Sequence, residues 1–175
     1  MRDSIATTKP GVHVDVGSTL LAMAVIAQYV DVILVDIRPL SINLPGLSFR
    51  KGTLLDLPFA SDSVESISSL NVVEHVGLGR YGDPLDPRGT DKACAELTRV
   101  LGRGGSLYVA TPTQRDARTY FNAHRTFSPD NFIQNFRTLS LAEERYATET
   151  GLLDREQYER AGVPYAYGCY HFVKG

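Results

Sequence analysis

Short runs of β-branched and apolar residues recur along the chain, and polar turns rich in Gly, Pro, Asp and Ser separate them. Runs of this length between turn formers are typical of strands. The run at 32–35 is continuously apolar, which favours a strand covered on both faces in a parallel sheet. Seven strands are therefore predicted, at 12–16, 32–35, 47–51, 64–70, 106–110, 138–146 and 165–173.

Helical spacing of apolar residues lies between several of these strands. Apolar residues have helical spacing at 20–29 and 90–101, which predicts two helices. A third helix is predicted to begin at Ser128, because Pro and Asp follow it in the first turn. Residues 37–46 contain two prolines and predict a loop. The charged segment between the last two strands is expected to be mobile.

Strands that alternate with helices predict an α/β fold. We expect one domain over residues 1–175, a Rossmann-like three-layer sandwich without an N-terminal cap. Its mostly parallel seven-stranded sheet should have an antiparallel last strand. Right-handed crossovers place the loops after the strands along one sheet edge, which is where such folds bind ligands.

Composition narrows the class of protein. With 175 residues, 43% of them hydrophobic and 22% charged, the chain is typical of one globular domain. Eighteen Lys and Arg against 20 Asp and Glu give a net charge of -2, so no basic excess favours nucleic acid or anionic lipid. Charged residues interrupt the most apolar window, 20–37, which argues against a membrane span.

The cysteines and the N-terminal residues give expectations about compartment and metal content. Cys94 and Cys169 lie far apart and no C-x-x-C pair occurs, so we expect neither a disulfide framework nor a metal site. The polar residues 1–10 lack the apolar core of a signal peptide. A cytoplasmic location fits these features.

Two long segments carry a family resemblance. They are DLPFASDSVESISSLNVVEHV and, further along, AELTRVLGRGGSLYVATP. In this order they resemble class I S-adenosylmethionine-dependent methyltransferases of the type 11-like group. The Gly-Leu-Gly-Arg-Tyr-Gly-Asp-Pro loop that begins at Gly77 is also similar to a little-characterised methyltransferase-like family of unknown function.

The resemblance implies that S-adenosylmethionine is the cofactor and that residues at the strand ends bind it. A structural alternative stays open for the main candidates: a tight turn for Gly17, a helix cap for Asp36, an Asx turn for Asp56 and a strand-end turn for Asn71. The loop after the first strand keeps one glycine, whereas the family usually has two or three. The cofactor-binding candidates are Asp15, Gly17, Ser18, Asp36, Ile37, Asp56, Leu57 and Asn71.

Three residues are candidates for catalysis. His75 lies in the Glu-His-Val stretch, Asp83 in the Gly-rich loop and His124 before the third helix. Each can move a proton when the methyl acceptor is a hydroxyl or a protonated amine. The alternative is structural, because a lone His is often a structural residue and His124 can simply hold its loop to the sheet.

These features predict a methyltransferase that acts on a small-molecule or saccharide-type acceptor. The alternative is a catalytically degenerate methyltransferase fold that binds cofactor or a protein partner, which the thinned glycine loop favours. A nicotinamide-dependent enzyme is disfavoured because G-x-G-x-x-G is missing. A homodimer or a large acceptor would complete the open side of the sheet.

Overall fold

A computed structural model describes Met1, Ile5 and residues 8–41 and 43–175. One eight-stranded sheet forms the centre of the chain, in the order β3-β2-β1-β4-β5-β10-β8-β9. A separate hairpin consists of β6 and β7. The strands are β1 (His13–Val16), β2 (Val32–Asp36), β3 (Leu47–Lys51), β4 (Val64–Leu70), β5 (Leu101–Thr113), β6 (Arg118–Thr119), β7 (Arg125–Thr126), β8 (Ser140–Thr148), β9 (Gly151–Leu153) and β10 (Ala166–Val173).

The strand directions confirm the predicted α/β class and the mostly parallel sheet. Strands β3, β2, β1, β4 and β5 pair in parallel, in that order. The last strand, β10, lies between β5 and β8 and is antiparallel to both, as predicted. The predicted count of seven is wrong, because β9 pairs with the outer side of β8 and adds an eighth strand.

The segment before β10, which the sequence predicts to be mobile, contains a strand and a helix. Residues 149 and 150 join β8 to β9, and a helix, α4 (Arg155–Ala161), follows. Asp154 caps this helix by accepting from the Gln157 N–H, while the Gln157 side chain accepts from the Asp154 N–H. Such a capping box satisfies two backbone donors at a helix start. Gly162 follows the helix as its C-cap, with a left-handed φ of 60°.

Helices on both sides of the sheet make the three layers. They are α1 (Leu20–Ile26), α2 (Gly89–Val100) and α3 (Pro129–Ile133), besides α4. On one side α1 packs Met23 and Ile26 against β2, and on the other α2 and α3 build the larger core. Side chains alternate between the two cores along β2, because successive strand residues point to opposite faces. No helix within the described residues is long and apolar enough to cross a membrane.

Local signals explain most element boundaries. Ser128 occupies the N-cap position of α3 and Pro129 its first turn, as predicted. The α2 helix passes directly into β5, so the predicted glycine turn at 102–105 is wrong. These residues belong to the strand, beside a register shift between Val64 and Ser66. The predicted loop at 37–46 contains no helix among its described residues, and residue 42 lies outside them.

Candidate active site

A cleft opens at the carboxyl ends of β1, β2 and β4. The space between its walls is about 800 Å³, part of which is open to solvent. Its walls are the turn after β1, residues 36–38, residues 52–55 after β3 and the segment that follows β4. Six predicted site residues line this cleft: Gly17, Asp36, Ile37, Asn71, His75 and Asp83.

Gly17 forms the turn after β1, and its conformation requires glycine. Its φ is 75°, a left-handed value, and an added Cβ would lie 2.9 Å from Val72 Cγ1. Val72 also lines the cleft, just after β4. The missing side chain therefore lets the β1 turn and the segment after β4 approach each other. It also leaves cleft space for a ligand beside the backbone.

Asp36 ends β2, and its carboxylate is largely buried. Arg38 donates to it three times: the backbone N–H and Nε to Oδ1, at 2.8 and 3.0 Å, and Nη2 to Oδ2 at 2.8 Å. Partial burial opposes ionisation, but these bonds and the guanidinium charge lower the pKa of Asp36. Sequence reasoning did not assign Arg38 a role in the site, although it stands two residues beyond a strand-end acid.

Asp15 and Ser18 lie beneath the turn rather than in the cleft. Asp15 is completely buried, and its carboxylate accepts from the Ser18 N–H at 3.0 Å and from the Ser18 hydroxyl at 2.6 Å. Burial raises the pKa of Asp15 to about 6. The Ser18 hydroxyl also accepts from the Leu70 N–H, which ties the turn to the end of β4. Neither residue lines the cleft, but both shape it.

Asp56 and Leu57 also lie outside the cleft wall. Asp56 is exposed, and Leu57 belongs to the core with its N–H donated to Glu96 Oε1 at 2.7 Å. The preceding residues Thr53, Leu54 and Leu55 line the cleft instead. A tight turn holds them there, because the Asp56 N–H donates to the Thr53 carbonyl. The cofactor roles of Asp56 and Leu57 stay predictions.

His75 lies in a one-turn 3₁₀ helix (Val73–His75) after β4, where the backbone turns sharply because Asn71 has a φ of 58°. Its Nδ1 lies 2.9 Å from the Ala123 carbonyl oxygen. A carbonyl can only accept, so Nδ1 carries the proton and neutral His75 keeps its lone pair at Nε2. Burial, with Arg80 and His124 nearby, lowers the pKa of His75, so the ring is neutral at neutral pH.

Glu74 adds an unusual group next to this histidine. It is 1% exposed, and its Oε2 has no hydrogen-bond partner in the described part of the chain. Its other oxygen lies 3.8 Å from His75 Nε2. Burial raises the pKa of Glu74 to about 8, so the carboxyl group is protonated at neutral pH. A neutral carboxyl group therefore borders the candidate base.

The other two catalytic candidates have different surroundings. Asp83 accepts from the Gly77 and Tyr81 N–H groups, at 2.6 and 3.2 Å, which outweighs partial burial and lowers its pKa. These bonds favour a role in holding the loop. His124 is outside the cleft lining, with its ring centre 6.1 Å from that of His75 and its Nε2 3.3 Å from the Tyr165 hydroxyl. Their catalytic roles stay predictions.

Arg125 anchors the wall of the cleft. Its guanidinium donates to the Val76 carbonyl at 2.6 Å, to the Thr90 hydroxyl at 3.3 Å and to the Asp86 carbonyl at 3.3 Å. The His75 ring and Arg80 both donate to the Ala123 carbonyl, so two hydrogen bonds hold the β6–β7 hairpin to this segment. No cluster of three or more His, Cys, Asp or Glu in the described residues could hold a metal ion.

Solved structures similar to this one share its fold. The [4+2]-cyclase SpnF has a TM-score of 0.69 and 13% identity, over 99% of this chain and 80% of that chain. A putative sarcosine dimethylglycine methyltransferase from Galdieria sulphuraria has a TM-score of 0.68 and 14% identity, over 99% of this chain and 83% of that chain. A third similar structure is geranyl diphosphate C-methyltransferase from Streptomyces coelicolor A3(2), in complex with Mg²⁺, geranyl diphosphate and S-adenosyl-L-homocysteine. It has a TM-score of 0.68 and 14% identity, over 95% of this chain and 72% of that chain.

The strand order, the cleft position and these similarities define the class. The chain has the fold of class I S-adenosylmethionine-dependent methyltransferases, as its sequence motifs predicted. No curated protein matches the sequence. Residues 49–139, which are 91 of the 175, match the family described as Caenorhabditis protein of unknown function, DUF268, and the chain belongs to that family.

Proposed function

We propose that this protein binds S-adenosylmethionine in the cleft and transfers its methyl group to a hydroxyl-bearing small molecule or saccharide. One observation carries the proposal. The same cleft brings together Gly17 at the end of β1, Asp36 at the end of β2 and His75 after β4. A close-approach turn, a carboxylate for ribose hydroxyls and a candidate base thus face one space.

The cleft residues suit the proposed cofactor. Gly17 leaves room at the turn, because a Cβ there would contact Val72. Asp36 offers carboxylate oxygens to the ribose, while Leu54 and Ile37 provide apolar surface for an adenine ring. When bound, the cofactor would supply an electrophilic methyl group on a positively charged sulfur, with the neutral thioether as the leaving group. Displacement of this leaving group is accelerated mainly by alignment in a site from which water is excluded.

His75 would then take the proton of the acceptor hydroxyl. Its Nδ1–H is held by the Ala123 carbonyl, which orients the ring and leaves Nε2 as the proton acceptor. Glu74 stays protonated at neutral pH, so no neighbouring negative charge raises the pKa of His75. Tyr81 contacts the His75 ring edge-on, with ring centres 5.6 Å apart, and reduces its contact with water.

A second candidate function is a degenerate fold that binds a partner without catalysis. The Asp36–Arg38 pair favours it. A carboxylate has about four acceptor positions, and Arg38 uses three on Asp36. Two ribose hydroxyls could bind only if the guanidinium released at least one of its bonds. In this case the cleft would keep its shape without accepting the cofactor.

Ligand binding separates the two candidates. We expect S-adenosylhomocysteine at 100 times its dissociation constant to raise the unfolding midpoint of the wild type by roughly 5 to 11 °C. Asp36→Ala should lose this shift, because it removes the ribose acceptor. Arg38→Ala is the matched control: it breaks the same ion pair, keeps the carboxylate and should retain the shift. Absence of a shift in the wild type and in Arg38→Ala would reject cofactor binding.

His75→Asn tests the base. The Asn amide can still donate to the Ala123 carbonyl, but it has no basic nitrogen in the place of Nε2. We expect kcat to fall by roughly 10²- to 10⁴-fold while the affinity for S-adenosylhomocysteine stays unchanged. S-adenosylhomocysteine production with a panel of hydroxyl acceptors measures the rate. A variant that keeps more than about a tenth of the wild-type kcat would exclude His75 as the base.

A further inference from the structure

A continuous chain of buried hydrogen bonds runs below the cleft, on the sheet face that α1 covers. It begins at Ser66, whose hydroxyl lies 2.8 Å from His13 Nδ1. His13 Nε2 lies 2.9 Å from the Ser68 hydroxyl, which donates to Asp15 Oδ2 at 2.5 Å. Asp15 then accepts from Ser18, in the turn that lines the cleft.

The direction of each proton in this chain follows from the chemistry of the groups. The Ser68 hydroxyl has one proton and donates it to Asp15, so it must accept from His13 Nε2–H. Neutral His13 then has a lone pair at Nδ1, and this accepts from the Ser66 hydroxyl. With Asp15 ionised, as its pKa of about 6 gives at pH 7, this assigns neutral His13 a proton at Nε2 and a lone pair at Nδ1.

Burial favours the neutral form of His13 at neutral pH. His13 is completely buried, which lowers its pKa to about 4. Asp15 has a raised pKa of about 6 and is mainly ionised at pH 7. The other titratable groups close to this chain are Asp36 on β2, Tyr108 on β5 and His171, which stacks on Tyr108. No Lys or Arg within the described residues forms an ion pair with Asp15.

An ionised group and a histidine inside an apolar layer are costly to keep. The chain ends at Ser18, whose hydroxyl also accepts from the Leu70 N–H. It therefore connects β1, the turn and the end of β4, which are three parts of the cleft wall. We propose that His13 is a positioning residue that acts through Ser68 and Asp15 to fix the Gly17–Ser18 turn.

This inference rests on the proposed function in one respect: the fixed turn would serve to align a bound cofactor. Its first test needs no ligand. Amide hydrogen exchange, measured by NMR, reports the Ser18 and Leu70 N–H groups, both held by this network. His13→Phe and Ser68→Ala should each speed exchange at both positions about tenfold, the effect of losing one buried hydrogen bond. The double variant should resemble either single variant, because the same connection is broken.

His171→Phe is the matched control. His171 lies on the same sheet face, stacks on the same Tyr108 and bonds the Ser106 hydroxyl at 3.0 Å, but that bond does not lead to the turn. We expect it to leave Ser18 and Leu70 exchange unchanged. His13→Gln should restore slow exchange, because its amide can donate to Ser68 and accept from Ser66. A merely space-filling role for His13 predicts instead that Phe preserves the turn and Gln does not.

Binding of S-adenosylhomocysteine gives a second readout. We expect His13→Phe to weaken it about tenfold and His13→Gln to change it less than about threefold. Faster exchange at the turn without any wild-type binding would support the positioning role and reject the proposed function. Unchanged exchange at Ser18 in His13→Phe, or an equal increase at the Phe172 amide in the distant β10, would overturn the positioning role whether or not the ligand binds.

Discussion

Replacing Glu74 with Gln should stabilise the protein at pH 9 by about 4 to 5 kcal/mol. The folded-state pKa is raised from 4.5 to about 8, because the carboxyl group is buried without a cation. Because its pKa is raised, the Glu74 carboxyl group contributes stability that is fully present below pH 4.5 and is lost as the pH rises through 8. Gln has almost the same shape and does not ionise, so its stability has no such loss.

Guanidinium unfolding at pH 4, 7 and 9 measures this difference. The free energies of unfolding of the wild type and Glu74→Gln should be nearly equal at pH 4 and should differ most at pH 9. Glu149→Gln, at an exposed position of the β8–β9 turn, controls for the loss of one negative charge. A stability difference between Glu74→Gln and wild type that is the same at all three pH values would show that Glu74 does not enter the folded state protonated.

Gly17→Ala should lower the free energy of unfolding by about 2 to 4 kcal/mol. One part of this loss comes from placing alanine at the left-handed φ of 75°. The other part comes from overpacking against Val72 Cγ1, which would lie 2.9 Å from the new Cβ. The unfolding midpoint should fall by roughly 4 to 16 °C. Because the new methyl group also enters the cleft wall, S-adenosylhomocysteine should no longer stabilise the variant.

A matched glycine separates the two causes. Gly104 has a φ of 73°, but a Cβ there would meet nothing within 4 Å. Gly104→Ala should therefore show only the cost of the backbone conformation, about 1 to 2 kcal/mol. Equal destabilisation by the two substitutions would mean that the turn after β1 has room for a side chain, and the close approach to Val72 would then have no energetic role.

The fold was predictable where burial on both faces leaves a mark in the sequence. The apolar run at 32–35 corresponds to strand β2, and the Ser128-Pro129 pair starts α3. Strand β9 was not predictable from its apolar content, because it has three residues and lies at the sheet edge. The Asp154 and Gln157 pair is a sequence signal for the start of α4, but it does not indicate the strand before it.

The site was predictable to the extent that strand ends define it. Gly17 and Asn71 follow strands, Asp36 ends one, and all three line the cleft. Asp56 shows the limit, because a turn of a few residues decides which of its side chains face the ligand edge, and Thr53 and Leu55 do so instead. His13 gave no signal, since its partners Ser66 and Ser68 are more than 50 residues away and meet it only through the pairing of β1 with β4.

The two ends of the sheet bear on how the protein behaves at high concentration. Strand β3 at one end has five residues, including Arg50 and Lys51, and β9 at the other has three. Short or charged edge strands are poor templates for pairing with another chain. We therefore expect the folded protein to resist strand-by-strand aggregation. Any homodimer should form through side-chain surfaces rather than through a sheet shared between two copies.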